Sequence, residues 1–171
     1  MSKKIIILSI FIAASILISG CIIDKNNGTG NETKTNISNI IPTINLPSGV
    51  TFIDVNNEAN ISIGNSSIKA IEGIYRSNTD KDEIYIDVIN TETPEALIDE
   101  FKSYYKDANY DPFTEISING HNATQVKYPV TDNGSQILKY NIIWTTKNSM
   151  IKVGGSPDLK KVKDLAEAIK G

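Results

Sequence analysis

Three closely spaced turn signals in the C-terminal half restrict the fold of this chain more than any other feature. They are Asn119-Gly120, Asp132-Asn133-Gly134 and Lys147-Asn148-Ser149, and each separates two runs rich in apolar residues. Asn-Gly pairs favour the tight turns that join antiparallel strands, because both residues tolerate positive φ. The spacing predicts a four-stranded meander. Its strands are Glu115–Ile118, Asn122–Tyr128, Gln136–Thr145 and Met150–Val153.

Two Ser/Thr-Pro-acid signatures predict where helices begin. Thr93-Pro94-Glu95 combines an N-cap residue, a proline suited to the first helical position and an acid that complements the helix dipole. Ser156-Pro157-Asp158 follows the same capping logic, after Gly154-Gly155, which we expect to break the preceding strand. Each signature is followed by one apolar stripe at helical spacing. The stripes are Leu97, Ile98, Phe101 and Tyr104 or Tyr105, and then Leu159, Val162, Leu165, Ala166 and Ile169.

Strand patterns also precede the first helix. Residues 59–63 and 67–75 contain short β-rich runs, and Glu83–Asn90 alternates between two faces. The order is therefore strands, helix, meander, helix. It predicts an α+β fold, in which an antiparallel β-sheet built as a meander of hairpins packs against two α-helices. We expect a dry face near the helices and a partly wet opposite face.

One string of residues carries a family resemblance. Ile118-Asn119-Gly120-His121-Asn122-Ala123, a long strand ending in Trp144, Gly154-Gly155 and a C-terminal helix follow a recurring layout. Over residues 50–171 the layout resembles the PsbP-like α+β sandwich. It is also similar to small extracytoplasmic lipoproteins of uncharacterised function. The resemblance implies a fold and a non-enzymatic accessory role, and it carries over no functional residue.

The N-terminus predicts export. Two lysines in Met1–Lys4 precede the uncharged stretch Ile5–Ile23. Ile18-Ser19-Gly20-Cys21 resembles a lipoprotein signal box, in which the cysteine becomes the lipid-modified first residue. We predict a signal peptide at 1–20 and lipidation of Cys21, the chain's one cysteine. The alternative is an uncleaved signal anchor, since this stretch would span about 30 Å as a helix. Both interpretations place the remaining chain at the cell membrane, facing the extracellular side.

The stretch after the cysteine predicts a tether. Residues 22–46 are rich in Asn, Thr, Gly and Ser, so we assign 21–46 to the lipidated cysteine and a flexible tether, and 47–171 to the α+β domain. Asn-x-Ser/Thr sequons are candidate N-glycosylation sites in exported proteins. They occur at Asn27, Asn31, Asn36, Asn60, Asn65, Asn122 and Asn133. By association, the sequons together with the signal box are typical of an archaeal cell surface. The alternative explanation for the number of sequons is a composition biased towards Asn.

Composition excludes several classes of protein. One cysteine excludes an intramolecular disulfide and a thiolate metal cluster, and one histidine excludes a multi-histidine metal site. A net charge of −3 leaves no basic footprint for nucleic acid. We therefore predict no cofactor, no metal site and no nucleic-acid partner.

The sequence shows no catalytic constellation. His121 has no partner to orient it, and we interpret it as an exposed hairpin-tip residue. Asp80, Asp82 and Glu83 lack the spacing of a calcium loop and are interpreted as a solvated turn. With 20 acidic residues, a carboxylate pair able to hydrolyse glycosides would also arise by accident. We predict that the protein is not an enzyme.

Aromatic residues near the end of the first helix give the sharpest binding hypothesis. Tyr104, Tyr105, Tyr110 and Phe113 either belong to the core or line a ligand cleft. The preferred function is a non-enzymatic, lipid-anchored accessory or partner-binding domain at the cell surface, whose partner is an envelope protein or a ligand. The alternative is a solute- or glycan-binding lipoprotein that uses this aromatic-lined cleft. A hydrolase is the third hypothesis.

Overall fold

The computed structural model describes residues 40–170, which contain one seven-stranded antiparallel sheet and two complete helices. The strands are β1 Val50–Ile63, β2 Ser66–Ser77, β3 Glu83–Asn90, β4 Phe113–Ile118, β5 His121–Asp132, β6 Ser135–Thr145 and β7 Ser149–Ser156. The helices are α1 Pro94–Ser103 and α2 Leu159–Glu167. The α+β class and the order of elements are confirmed. Cys21 and the sequons at Asn27, Asn31 and Asn36 lie outside the described residues.

Two meanders join side by side to form the sheet, whose strand order is β1-β2-β3-β7-β6-β5-β4. The first meander is β1–β3 and the second is β4–β7. They meet where β3 pairs with β7, from Tyr85 opposite Gly154 to Asn90 opposite Ser149. This junction near the centre of the sheet brings together segments that are distant in the chain.

The turns of the second meander fold as predicted. Asn119 and Gly120 have φ values of 50° and 84°, and Asn133 and Gly134 have values of 47° and 80°. Two successive positive φ values characterise the tight turn that matches the right-handed twist of a hairpin. Asn119 also donates hydrogen bonds to the carbonyls of Glu167 (3.0 Å) and Ile169 (2.9 Å). The first of these turns therefore also holds the C-terminal end of α2.

The two helices cover opposite faces of the sheet. Successive side chains of a strand point to opposite faces. On β3, Ile86 and Val88 belong to the core packed against α2, whereas Ile89 belongs to the core packed against Phe101 of α1. We call these surfaces the α2 face and the α1 face. Within residues 40–170 no helix is long and apolar enough to cross a membrane.

Both helices begin near their predicted signatures, but only α2 has a side-chain hydrogen bond at its N-cap. Thr93 is at the N-cap of α1, yet its side chain forms no capping hydrogen bond. The N-cap of α2 is Asp158, whose carboxylate accepts from the Lys161 N–H at 3.2 Å. The predicted cap Ser156 instead ends β7, and its hydroxyl accepts from the Asp158 N–H at 3.1 Å. The acid of the second signature, not its serine, starts the helix.

Residues before Pro47 are packed into the domain core. Ile40 and Ile41 are 3% and 2% exposed. A Cβ at Gly73 would lie 2.7 Å from Cγ2 of Ile41, so the strand leaves room for this side chain. The Tyr75 hydroxyl donates to the carbonyl of Pro42 at 3.0 Å. Part of the segment that we assigned to the tether therefore belongs to the folded core.

Candidate functional site

The α1 helix covers only part of the length of the strands on its face of the sheet. The covered part packs around Phe101, Ile89, Val126 and Ile143, and side chains from all seven strands belong to this core or pack against it. The part of the α1 face beyond this core is uncovered by α1, since no residue of the helix lines the cavity found there.

An open cavity of about 280 Å³ lies on this uncovered part. It is lined by Tyr85, Asp87, Tyr128, Val130, Lys139, Asn141, Lys152, Gly154 and Gly155. These residues come from β3, β5, β6 and β7, so both meanders contribute to it. We call it the Asp87 cavity, and it requires the pairing of β3 with β7.

Asp87 lies in a row of three charged cross-strand partners. Glu72 on β2 and Lys152 on β7 are its direct neighbours in register. Lys152 Nζ is 2.6 Å from Asp87 Oδ2, and the Asp87 side chain is 1% exposed. Asp87 Oδ1 is also buried and has no hydrogen-bond partner among the described groups. Because an unpaired buried carboxylate oxygen costs free energy, this atom needs a donor, and the Glu72 carboxyl opposite it supplies one when it is protonated.

The second carboxyl group of this row has a perturbed pKa. Burial raises the pKa of Glu72 above its usual 4.5, and the charge of Asp87 and a hydrogen bond with Asp87 raise it further, while Lys152 opposes the shift. Like charges directly opposite on adjacent strands repel. A proton on Glu72 relieves this repulsion, because the protonated carboxyl becomes a donor to Asp87. Without that proton, Asp87 has only Lys152 as its partner.

Two glycines shape the wall of the Asp87 cavity on β7. The strand runs through Gly154 and Gly155 to Ser156, so the prediction that they break the strand is wrong. Tyr140 pairs with Ser156 and Asn141 with Gly154, which leaves Gly155 in a bulge with φ of +102°. A Cβ at Gly154 would lie 1.9 Å from Asn141 Oδ1. Glycine is therefore required here for the Asn141 side chain to lie across the strand.

Two tyrosines add hydroxyl groups to the same cavity. Burial raises the pKa of Tyr85 to about 12, and its hydrogen bond to Glu83 contributes to the shift. Burial also raises the pKa of Tyr128, against a lowering effect of its hydrogen bond with Asn141. Both hydroxyls therefore stay protonated at neutral pH.

The aromatic residues predicted to contact a ligand lie elsewhere. Tyr105 packs against Phe101, Tyr104 and Phe113, with ring centroids 5.5, 5.3 and 5.7 Å away. Burial raises the pKa of Tyr105 to about 12. Tyr104 is 59% exposed, and Tyr110 is half-buried. Tyr105 thus packs against Tyr104 and Phe113, and none of the four predicted residues lines either cavity described here. Ligand contact by them stays a prediction.

A second cavity, of about 460 Å³, is lined in part by His121. Glu115 accepts a hydrogen bond from Lys102 at 3.1 Å, and Glu95 accepts one from Thr145 at 2.5 Å. The carboxylates of this cavity thus have partners within the protein. His121 is half-buried, not exposed as we expected of a hairpin tip, because it starts β5 beside this cavity, which α1 also lines.

The acidic turn before β3 is neutralised by the protein's own cations. Lys161 Nζ lies 2.7 Å from Asp80 Oδ2, and Arg76 lies 3.1 Å from Glu83. The hydrogen bonds of Asp80 with Lys161 and Ser77 hold the pKa of that carboxyl well below its usual range. Among residues 40–170 no group of three His, Cys, Asp or Glu side chains could hold a metal ion.

Four of the predicted glycosylation sites fall within the described residues. Asn60, Asn65, Asn122 and Asn133 are all exposed. Exposure leaves room for a glycan, and attachment stays a prediction.

Sequence reasoning did not find the Asp87 cavity. The alternation of Glu83–Asn90 places Tyr85, Asp87 and Ile89 on one face of the strand, but an acid in such a pattern also suits a solvent-facing position. The sharper signal was Gly154-Gly155 inside an apolar strand, since glycine within a strand often marks a bulge or a close approach. In comparisons with known proteins, no family model, no curated protein and no solved structure matches this chain.

Proposed function

We propose that this chain is a non-enzymatic accessory domain, held by a lipid at the cell membrane and facing the extracellular side. It binds an envelope partner or ligand through the uncovered part of the α1 face. The observation that carries the proposal is the Asp87 cavity, an open recess that both meanders line with charged and aromatic side chains. Replacing both members of a buried ion pair by apolar side chains is often neutral or stabilising, so folding alone does not require the pair of Asp87 and Lys152.

The N-terminal sequence supports the anchored location. Ile18-Ser19-Gly20-Cys21 follows an uncharged stretch and holds the one cysteine of the chain. Two acyl chains hold a protein durably at a membrane, whereas one holds it weakly, and a diacyl-type modification of Cys21 would supply two. The PsbP-like sandwich stays part of this proposal. An antiparallel sheet with helices on opposite faces supports such an arrangement, and the resemblance favours an accessory role.

The pair of carboxyl groups formed by Glu72 and Asp87 could instead indicate a hydrolase. Glycosidases place two carboxyl groups about 5 Å or more apart, so that the groups flank the scissile bond. Glu72 and Asp87 are instead direct cross-strand neighbours on paired strands. Lys152 also occupies one oxygen of Asp87 at 2.6 Å. This geometry favours binding over glycoside hydrolysis.

Native mass spectrometry of the protein extracted from its own membranes tests the anchor. We expect a mass that begins at Cys21 and includes a lipid, with hexose-type increments where sequons are occupied. The Cys21→Ser variant should move to the soluble fraction or stay unprocessed. A mass that begins near Met1 without additions would overturn the lipid anchor and favour a signal anchor.

The same measurement tests the binding surface with two matched lysine variants. Lys139→Glu places a negative charge in the wall of the Asp87 cavity, whereas Lys147→Glu makes the same change in the exposed β6–β7 turn. We expect a companion molecule to be retained by the wild type and by Lys147→Glu, and lost from Lys139→Glu. Equal retention by both variants would place the binding surface elsewhere.

A further inference from the structure

The charge of the groups that a ligand can reach in the Asp87 cavity restricts its ligand, an inference that rests on the proposed function. The one carboxylate that lines the cavity is closed to a ligand, since the Asp87 side chain is 1% exposed. Its Oδ2 is held by Lys152 at 2.6 Å, and its buried Oδ1 has the Glu72 carboxyl opposite it on β2. Glu72 does not line the cavity. Among the described residues that line the cavity, a ligand therefore meets no free carboxylate oxygen.

Two lysines lie at opposite ends of the cavity floor. Gly154 on β7 pairs with Asn141 on β6, and these residues form the floor because Gly154 has no side chain. Lys152 precedes Gly154 by two residues, so alternation places both on the same face, and Lys139 precedes Asn141 in the same way. Because β6 and β7 are antiparallel, the lysines lie about 6.6 Å from the floor in opposite directions along the strands. Their flexible four-carbon stems let both ammoniums reach a group bound over Gly154.

Two aromatic side chains form the sides of the same cavity. In the strand order β3-β7-β6-β5, Tyr85 on β3 and Tyr128 on β5 lie on either side of the floor. A Cβ at Gly155 would lie 3.0 Å from Cδ2 of Tyr85, so the bulge leaves room for this ring. Aromatic faces pack against flat or apolar groups. A volume of about 280 Å³ is near the lower limit for ligand cavities, and it suits one ring rather than an extended chain.

The charged groups that remain accessible are both cationic. Lys139 forms no ion pair with any carboxylate of residues 40–170, and Asp87 is the one ion-pair partner of Lys152 there. Each ammonium carries three N–H donors and no acceptor. Two lysines and one aspartate give the lining one excess positive charge, although the whole chain carries −3. A ligand ammonium would be repelled and a hydroxyl would use the donors without their charge, whereas a single negative charge is matched.

We propose that the Asp87 cavity binds a singly charged oxyanion, a carboxylate or a phosphodiester, between the ammoniums of Lys139 and Lys152. The group that carries the oxyanion packs between the two tyrosine rings. The Asn141 side chain, which lies across β7 because Gly154 has no Cβ, donates an N–H to one of its oxygens. The ligand is either a small solute or a unit of an envelope polymer, because both present the same oxygens.

Titration of the full chain with three ligands that share a phenyl ring tests the charge selection. They are benzoate, benzyl alcohol and benzylammonium, and amide NMR spectra are recorded in a non-ionic detergent. We expect saturable shifts with benzoate, in the millimolar range, at amides of β3, β6 and β7 that surround the cavity, and none with the other two. Dimethyl phosphate, titrated in the same way, shows whether a phosphodiester binds as well as a carboxylate. Polymers released from the organism's own envelope should displace benzoate if the source is a polymer, and small acids from the same extract should do so if it is a solute.

Two pairs of variants locate the binding. Lys139→Gln removes one ammonium and should weaken benzoate binding about fivefold, the effect of one partly exposed ion pair. Lys127→Gln is its matched control and should leave binding unchanged, because alternation places residue 127 on the opposite face of the same hairpin. Val130→Trp fills the cavity and should abolish binding, whereas Leu138→Trp, on the opposite face, should not change it.

Two results would overturn the oxyanion assignment, and they bear differently on the proposed function. Equal shifts with benzyl alcohol or benzylammonium that Val130→Trp abolishes would show a cavity without this charge selection, so the binding role would stand with another ligand class. No shift with any probe, or benzoate shifts that persist unchanged in both Lys139→Gln and Val130→Trp, would show that the cavity does not bind the oxyanion. The retention experiment with Lys139→Glu and Lys147→Glu then decides separately whether this surface binds a partner.

Discussion

The α1 face contains two regions that share the same strands but differ in chemistry. Under α1 the side chains are apolar, and two residues further along each strand they are polar and line the Asp87 cavity. The change occurs on three adjacent strands, from Ile89 to Asp87, from Met150 to Lys152 and from Ile143 to Asn141. The core packed against α1 therefore ends, and the polar side chains begin, within one alternation along each of these strands.

The largest expected effect comes from the covered region. Phe101→Ala removes a ring that is 6% exposed and joins α1 to the sheet, so we expect the free energy of unfolding to fall by about 3 kcal/mol. Urea denaturation of the full chain measures this loss. Leu138→Ala, at a residue that is 46% exposed on the hairpin, is the control and should change stability by less than about 1 kcal/mol. Similar losses in both variants would contradict the division into two regions.

Gly154→Ala tests the wall of the uncovered region. Its Cβ would lie 1.9 Å from Asn141 Oδ1 and 2.6 Å from the Tyr140 carbonyl. We expect the free energy of unfolding to fall by about 2 kcal/mol, because backbone and side chain must both shift. The double variant Asn141→Ala/Gly154→Ala removes the first clash alone and should recover only part of the loss. Full stability in Gly154→Ala, measured by thermal denaturation, would contradict this packing.

Much of the fold follows from local sequence chemistry, whereas the site does not. The Asn-Gly turns and the Pro-acid helix starts depend on a few adjacent residues, and they were predicted within a residue or two. The N-terminal part of β1 was missed, because Asp54, Asn56 and Glu58 are exposed on an edge strand and give no alternating apolar pattern. Edge strands that carry polar side chains on both faces have no periodicity to detect.

The Asp87 cavity was unpredictable for a different reason. Asp87 meets Lys152 only because β3 pairs with β7, and that contact joins the two meanders. No local pattern fixes which strand of one meander lies beside which strand of the other. Asn141 similarly reaches the cavity through a bulge that shifts the pairing of β6 with β7. The chemistry of single residues was visible in the sequence, and their juxtaposition was not.

Glu72→Gln tests whether the carboxyl pair strains the uncovered region. The folded-state pKa of Glu72 is raised above 4.5, so the protonated form contributes stability that is fully present below pH 4.5 and is lost as pH rises through the raised value. The variant should therefore be more stable than the wild type at pH 7, by less than about 1 kcal/mol because water screens a half-exposed group. Its stability should also vary less with pH above 4.5.

Thermal denaturation between pH 4 and 8 makes this comparison, with Glu92→Gln in an exposed loop as the control. A Glu72→Gln variant that loses stability at pH 7 would show that the ionised carboxylate is favourable in the fold. The interpretation of the protonated Glu72 carboxyl as the donor to Asp87 would then be wrong.

The smallest expected effect separates Tyr104 from the rings beside it. Tyr104→Ala truncates a side chain that is 59% exposed, and it should change the free energy of unfolding by less than about 0.5 kcal/mol. Tyr105→Ala, which loses contacts with three rings, should cost several times more. Urea denaturation measures both. Equal effects would mean that the two tyrosines share one environment, and a ligand cleft between them would again be the better interpretation.

The packing of Ile40 and Ile41 limits how far the domain can lie from Cys21. The backbone between Cys21 and Ile40 can extend at most about 65 Å, whatever its conformation. If Cys21 carries the proposed lipid, the domain is confined to a thin layer above the bilayer, where its effective concentration towards other surface-bound molecules is high. Such a geometry favours weak, reversible contacts with neighbours in the same layer over capture of dilute solutes from the medium.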